Sequence, residues 1–188
     1  MNTPQFFGFG SLVNVTTHDY MEYRPGQLKG WKREWLDTKK RPYCFLSAYP
    51  VDGFEIEGLL IKVPNGDWAA LDEREASYTR HQVGNVIVPQ HVKSEVQIYA
   101  IAAENRSPDT RKPILLTYLD VVLLGYHSFF GLSGAQRFVD TTDGWDRPIL
   151  NDRAKPIYSR AQALSAEEQA WIDDMLACHD IVEEHPNE

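Results

Sequence analysis

Residues 114–130 form a run of seventeen positions interrupted by only four clearly polar side chains, Thr117, Asp120, His127 and Ser128. A membrane-spanning helix needs about 20 apolar residues, so the run is too short and too polar for that role. A helix that is apolar nearly all round has to be buried, and this one reads as the core helix of a soluble fold. Pro113 suits its first turn, and the polar stretch 104–112, with Pro108, reads as the loop before it. Within the run, His127 reads as a hydrogen-bonded core residue. Tyr118 carries a hydroxyl that must find a partner, structural or ligand-borne.

The rest of the chain supplies strands. Residues 5–9 read as a buried first strand, and residues 27–38 as a longer one anchored by Leu28, Trp31 and Trp35. Residues 43–49 form another, ended by Pro50. The pair Asp52-Gly53 predicts a turn into residues 55–63, and so a hairpin. Asp67 is placed to cap a helix over residues 68–76. Two further strands are predicted at 83–88 and 92–102 and a short helix at 132–138. Residues 141–155 read as irregular. A last amphipathic helix opens at Ser165, with Glu167 and Glu168 in its first turn. Residues 185–188 read as a frayed tail. Strands interspersed with two or three helices over 188 residues predict one α+β domain with a small mixed, barrel-like sheet and flanking helices.

Composition narrows the partners. Nineteen basic residues against twenty-seven acidic ones give a formal charge of -8, which disfavours nucleic acid and anionic membranes as partners and leaves room for a small ligand. The two cysteines, Cys44 and Cys178, read as reduced structural thiols. With no cationic apolar leader at the start, the expectation is a cytoplasmic protein. The six histidines show no metal-ligand spacing. His81 and His91 fall on neighbouring predicted strands without a third ligand, and Cys178-His179 with Asp174 is a loose cluster, so no metal is expected.

Two segments carry candidate chemistry. In Phe6-Phe7-Gly8-Phe9-Gly10-Ser11-Leu12 an apolar strand runs into a glycine-serine turn. A dinucleotide fingerprint would need glycine where Val13 stands, and neither a P-loop lysine nor a nucleophile elbow is present. Two readings remain: glycines chosen for a tight turn, or a cradle of backbone N–H groups for a carboxylate or an oxyanion. In Leu71-Asp72-Glu73-Arg74-Glu75, Glu75 falls on the helical face of Trp68 and Leu71. There, burial beside an indole, the negative helix end and Asp72 would all raise its pKa toward general acid–base use. Alternatively it is a solvated helix-end carboxylate paired with Arg74 or Arg80.

Taken in order, these segments resemble the γ-glutamylcyclotransferase-like superfamily, including ChaC-type enzymes and γ-glutamylamine cyclotransferases. Phe9-Gly10-Ser11-Leu12 is similar to that family's Tyr-Gly-Ser-Leu signature, with Phe9 in place of the tyrosine. Leu28-Lys29-Gly30-Trp31 and Glu57-Gly58-Leu59-Leu60 resemble two of its strands. Leu71-Asp72 with Arg74-Glu75 and Tyr78-x-Arg80 resembles the segment bearing its catalytic glutamate. Tyr118, seven residues before Gly125, resembles a substrate-contacting tyrosine on a later helix. The resemblance covers residues 5–140, and residues from about 141 onward stand as a C-terminal helical extension without a matching signature.

What the resemblance implies is a cofactor-independent cyclotransferase. The α-amine of a γ-glutamyl amide attacks its own γ-carbonyl, giving 5-oxoproline and a free amine or amino acid. Glu75 is then the general acid–base, while Phe9, Gly10, Ser11, Leu12 and Tyr118 bind substrate. The alternatives are a non-catalytic small-molecule binding module on the same fold, or a hydrolase of γ-glutamyl amides. The loops around Trp145 and Pro108 are the expected specificity elements.

Overall fold

The computed structural model describes residues 4–84, 86–87, 95–108 and 110–183. The first strand, β1 (Gln5–Gly8), is buried along its whole length, which suits the apolar run Phe6-Phe7. It lies between β3 (Phe45–Lys62), antiparallel, and β6 (Val96–Ile101), parallel. Two 3-10 turns follow β1, at Ser11–Val13 and Val15–Thr17. β2 (Tyr23–Leu36) then pairs along β3, and β4 (Tyr78–Val83) adds to β6. With β5 (Val86–Ile87) the order is β4-β6-β1-β3-β2-β5, and β8 (Thr142–Asp143) joins β2 in parallel. The mixed sheet is as expected. Among the described residues it stays open, with β4 and β5 at its edges, so it is barrel-like only loosely.

The expected hairpin at Asp52-Gly53 does not form. Residues 45–62 are one continuous strand, and both of its halves pair with β2, Phe45 opposite Leu36 and Ile61 opposite Tyr23. Between Trp31↔Pro50 and Lys29↔Glu55 the register shifts, so that residues 51–54 stand opposite Gly30 alone. The glycine that was to close a hairpin, Gly53 at φ 82°, instead lets the strand bulge outward into solvent. A fourteen-residue partner strand offers both apolar runs a ladder, and satisfying them on one strand avoids an unpaired edge.

The buried helix is present as α2 (Leu116–Asp140), broken at Gly131, whose φ of 67° marks the join between the two helical stretches expected separately. Residues 114–115 ahead of it form β7, in a small second sheet with β9 (Ile149–Leu150) and β10 (Ile181–Val182). Asp152 caps the helix: its Oδ1 accepts the Thr117 N–H at 2.9 Å and its Oδ2 the Thr117 hydroxyl at 2.6 Å. His127 is not a core residue. It is exposed and its ring lies 5.2 Å from that of Trp171 on α3 (Ala166–Leu176). Buried Asp120 pairs with Arg153, which also binds Asp173 of α3, and Ile172 and Leu176 of α3 enter the same apolar core as Phe6, Leu59 and Leu119. Ser165 and Glu168 form the expected capping box. Cys44 is buried, Cys178 exposed, and both are free thiols. Among the described residues no helix is long and apolar enough to cross a membrane. His91 and residues 185–188 lie outside the described residues.

One close approach holds β1's turn in place. α2 lies against that turn at Gly125, where an added Cβ would come within 2.6 Å of the Asn14 nitrogen and 2.8 Å of the Val13 carbonyl carbon. The Asn14 side chain closes the contact by donating to the Val121 carbonyl at 2.9 Å. Replacing Gly125 by alanine forces backbone from backbone. The expected result is a loss of about 1–3 kcal/mol, read as a lower midpoint in urea unfolding with an unchanged slope.

Candidate active site

Phe9, Gly10, Ser11, Leu12, Glu75 and Tyr118 line one cleft of about 510 Å³. Its floor is the end of β1 and the turn after it. Phe9 is buried, and its carbonyl faces the Tyr126 hydroxyl of α2 at 2.9 Å. Gly10 leads into the 3-10 turn, which closes with Val13 N–H to Gly10 C=O at 2.9 Å and Asn14 N–H to Ser11 C=O at 3.1 Å. Gly10 is required by crowding: a Cβ there would lie 2.7 Å from the Tyr118 hydroxyl. Tyr118 therefore packs onto the bare backbone of the turn. Among the described residues the N–H groups of Gly10 and Leu12 meet no acceptor, which leaves two donors of the turn available.

Glu75 stands across the cleft. It is the C-cap of a six-residue helix, α1 (Ala69–Arg74), whose start is held by Asp67 accepting the Ala69 N–H at 2.8 Å. Its own carbonyl accepts the Tyr78 N–H at 2.8 Å, which ties the end of α1 to the start of β4. Its carboxylate is 15% exposed, and Arg74 Nε lies 3.3 Å from Oε1. The two readings of Glu75 thus merge: it is paired with Arg74, yet it is also inside the cleft. Burial pushes its carboxyl above the usual carboxylate range, against the pull of Arg74 and Arg160. The source of that burial differs from the expected indole. Trp68 is not part of the cleft and stacks under the Arg80 guanidinium, 4.5 Å away, while Asp72 is taken up by the Tyr99 hydroxyl at 2.6 Å and Arg80 at 3.0 Å.

Tyrosines supply the walls that sequence reasoning missed. Tyr78 donates to the Leu46 carbonyl at 3.0 Å, and Tyr158 sets its ring 5.0 Å from that of Tyr118, edge to face. Trp35 packs against the other side of Tyr118 at 5.9 Å. Burial first, then neighbouring tyrosines and Glu75, raise the Tyr78 and Tyr118 hydroxyls well above the ordinary phenol value, so both remain neutral donors. Among the described residues, none of the Trp145 and Pro108 loops lines the cleft. Trp145 is packed inward, its indole N–H donating to the Val139 carbonyl at 3.0 Å and its ring 5.6 Å from Trp35. Cys44 lines the cleft, but burial pushes its thiol up to about 12, which removes it as a nucleophile near neutral pH. Among the described residues no three His, Cys, Asp or Glu side chains converge as metal ligands.

The raised Glu75 has a measurable consequence. A carboxyl that holds its proton more tightly when folded makes the folded state lose stability as pH rises from the ordinary carboxylate range through the raised pKa, and the penalty persists above it. Glu75→Gln removes that penalty. The stability of the glutamine variant minus that of the wild type should therefore grow from pH 4 to pH 7 in urea titrations. A difference independent of pH would mean that Arg74 has cancelled the effect of burial.

Comparison with known proteins points one way. The sequence family described as gamma-glutamyl cyclotransferase, AIG2-like, matches over residues 6–117, a stretch that carries β1, the glycine-serine turn and Glu75 and stops one residue before Tyr118. A solved gamma-glutamyl cyclotransferase superposes with a TM-score of 0.60 at 14% identity, covering 92% of this chain and 99% of that one. An uncharacterized protein from Homo sapiens does so at 0.58 and 13%, with the same coverage. YkqA from Bacillus subtilis gives 0.59 at 16%, over 77% of this chain and 57% of its own. At such identities the likeness is one of fold. No curated protein matches the sequence.

Proposed function

The chain belongs to the gamma-glutamyl cyclotransferase, AIG2-like family, and on that footing we propose that it converts a γ-glutamyl amide to 5-oxoproline and a free amine or amino acid, without a cofactor, using Glu75 as the proton carrier. The observation that carries the reading is one half-enclosed cleft with a single upshifted carboxyl facing a turn of bare backbone donors. Ring closure brings the substrate's α-amine onto its own γ-carbonyl. The amine must lose a proton and the departing nitrogen must gain one, and one carboxyl raised above the usual carboxylate range by burial serves both transfers. The Gly10 and Leu12 N–H groups fit the substrate carboxylate or the developing oxyanion, and Ser11 and Phe9 shape that turn. Tyr118, kept protonated by burial, donates a hydrogen bond inside the cleft. Holding the flexible glutamyl chain in the attack geometry supplies a further part of the acceleration, since well-aligned intramolecular reactions gain effective molarities of about 10⁵ M or more.

We read the whole chain as one such domain, with residues from about 141 as an extension that completes the cleft, working in a cytoplasmic compartment that suits the two free thiols. The test is product analysis by mass spectrometry with γ-glutamyl dipeptides and γ-glutamylamines. Wild type should release 5-oxoproline, and Glu75→Gln should lose at least about 10²-fold in rate while its melting temperature is retained. Free glutamate as the product would make the protein a hydrolase. Tight binding of these compounds with no product would make it a binding module.

A further inference from the structure

The chain as a whole is strongly acidic, at -8, yet the cleft is lined by Arg41, Arg74 and Arg160 against Glu73 and Glu75. Arg74 gives its Nε to Glu75 and its Nη1 to the Thr17 carbonyl, while its Nη2 is buried without a hydrogen-bond partner. Among the described residues the guanidinium groups of Arg41 and Arg160 have no carboxylate or carbonyl partner. Arg160 lines the same cleft as Glu75, and its charge pulls the Glu75 carboxyl downward. It belongs to the segment 157–160, beyond the stretch shared with the family, and that segment is firmly held. Asp152 Oδ2, which accepts the Thr117 hydroxyl at the head of α2, also accepts the Ile157 N–H at 2.9 Å. The Tyr158 carbonyl accepts the Ala161 N–H at 3.1 Å, and the Tyr158 ring rests on Tyr118.

We infer that Arg160 is a specificity-determining residue, reading a carboxylate carried by the leaving half of the substrate, so that the site selects γ-glutamyl amino acids and peptides over simple γ-glutamylamines. The inference rests on the proposed cyclotransferase reading for which half of the substrate leaves. The γ-glutamyl half brings one carboxylate, and the turn at Gly10 and Leu12 has donors for it. Glu75 returns its proton to the leaving nitrogen, so a substituent on that nitrogen projects into the cleft that Glu75 and Arg160 line together. In an amino-acid leaving group a carboxylate stands two bonds from the nitrogen, and an arginine fork matches it in shape as well as in charge.

The test compares γ-glutamylalanine with γ-glutamylethylamide, which differ only by a carboxylate on the carbon next to the leaving nitrogen. Titration calorimetry on the Glu75→Gln protein keeps both ligands intact. The alanine compound should bind about tenfold more tightly, and adding Arg160→Gln should erase that preference while changing the dissociation constant of the ethylamide less than twofold. Arg160→Lys, which keeps the charge and loses the fork, should restore part of it, and decides the matter if the glutamine variant fails to fold. Equal affinities in the parent, an equal loss for both ligands, or a preference removed by Arg41→Gln and not by Arg160→Gln would overturn the assignment. Formation of 5-oxoproline by the wild type is judged separately, so a protein that prefers the carboxylate but turns nothing over refutes the reaction and leaves the selectivity standing.

Discussion

The cleft exists because α2 and the turn after β1 touch backbone to backbone. At Gly125 no side chain intervenes between the helix and residues 13–14, and Asn14 bonds to the helix carbonyl of Val121. Two turns toward the N-terminus the same helix presents Tyr118 to Gly10. A rigid buried helix thus sets the height of a flexible-looking glycine turn, and its donors are pre-placed before any ligand arrives. Tyr126, next to Gly125, adds a third fastening: its hydroxyl lies 2.9 Å from the Phe9 carbonyl and 2.6 Å from that of Glu57, and accepts from the buried Arg33 guanidinium at 2.8 Å. Arg33 is 2% exposed and also bonds Thr141 and Thr142, so the far end of α2 is pinned to β2 by the same group. A buried cation is tolerated there because each of its nitrogens has an oxygen partner.

Glu75 shows how burial and pairing can be set against each other without either removing the other. An ion pair with Arg74 alone would hold the carboxyl low, and burial alone would raise it. Burial prevails, because the cleft wall around the carboxyl is built of tyrosines kept neutral by their own burial. Phenol hydroxyls give polarity without charge, so they leave the carboxyl free to take up a proton although Arg74 and Arg160 both pull the other way. A site with more committed cations at Glu75 would lock it as a carboxylate and lose the exchange.

What the sequence showed and what it hid follow from the range of the interactions involved. The buried helix, the glycine-serine turn and the capping box at Ser165 depend on residues within a turn or two of each other, so their patterns stand in the sequence. The hairpin at Asp52-Gly53 failed because strand pairing is decided at long range: the local turn signal is real, but β2 offered both halves of β3 a longer ladder. The placing of Trp68 beside Glu75 failed because a six-residue helix ends before its last turn holds a face, leaving Glu75 at the cap with its own backbone angles. His127 was misplaced because a helix apolar nearly all round has no phase from which to tell inside from outside.

The segment 157–160 had no signal at all, being neither periodic nor rich in glycine, and the reason is mechanical. Its position is transmitted by one carboxylate. Asp152 satisfies the head of α2, where a helix leaves N–H groups unpaired, and with its remaining lone pairs fixes Ile157. The demand of a helix terminus for a cap thereby decides where a distant loop crosses the cleft, within reach of Tyr118, the first residue after the capped one. The part of the chain shared with the family holds the turn and Glu75, and residues 157–160 beyond it are fastened to the same cleft by that cap and by the Tyr158 ring on Tyr118. Variation in which amide is accepted can therefore arise in residues 157–160 while Glu75 and the turn keep their own fastenings, since Asp152 holds that segment at a helix end that must be capped in any case.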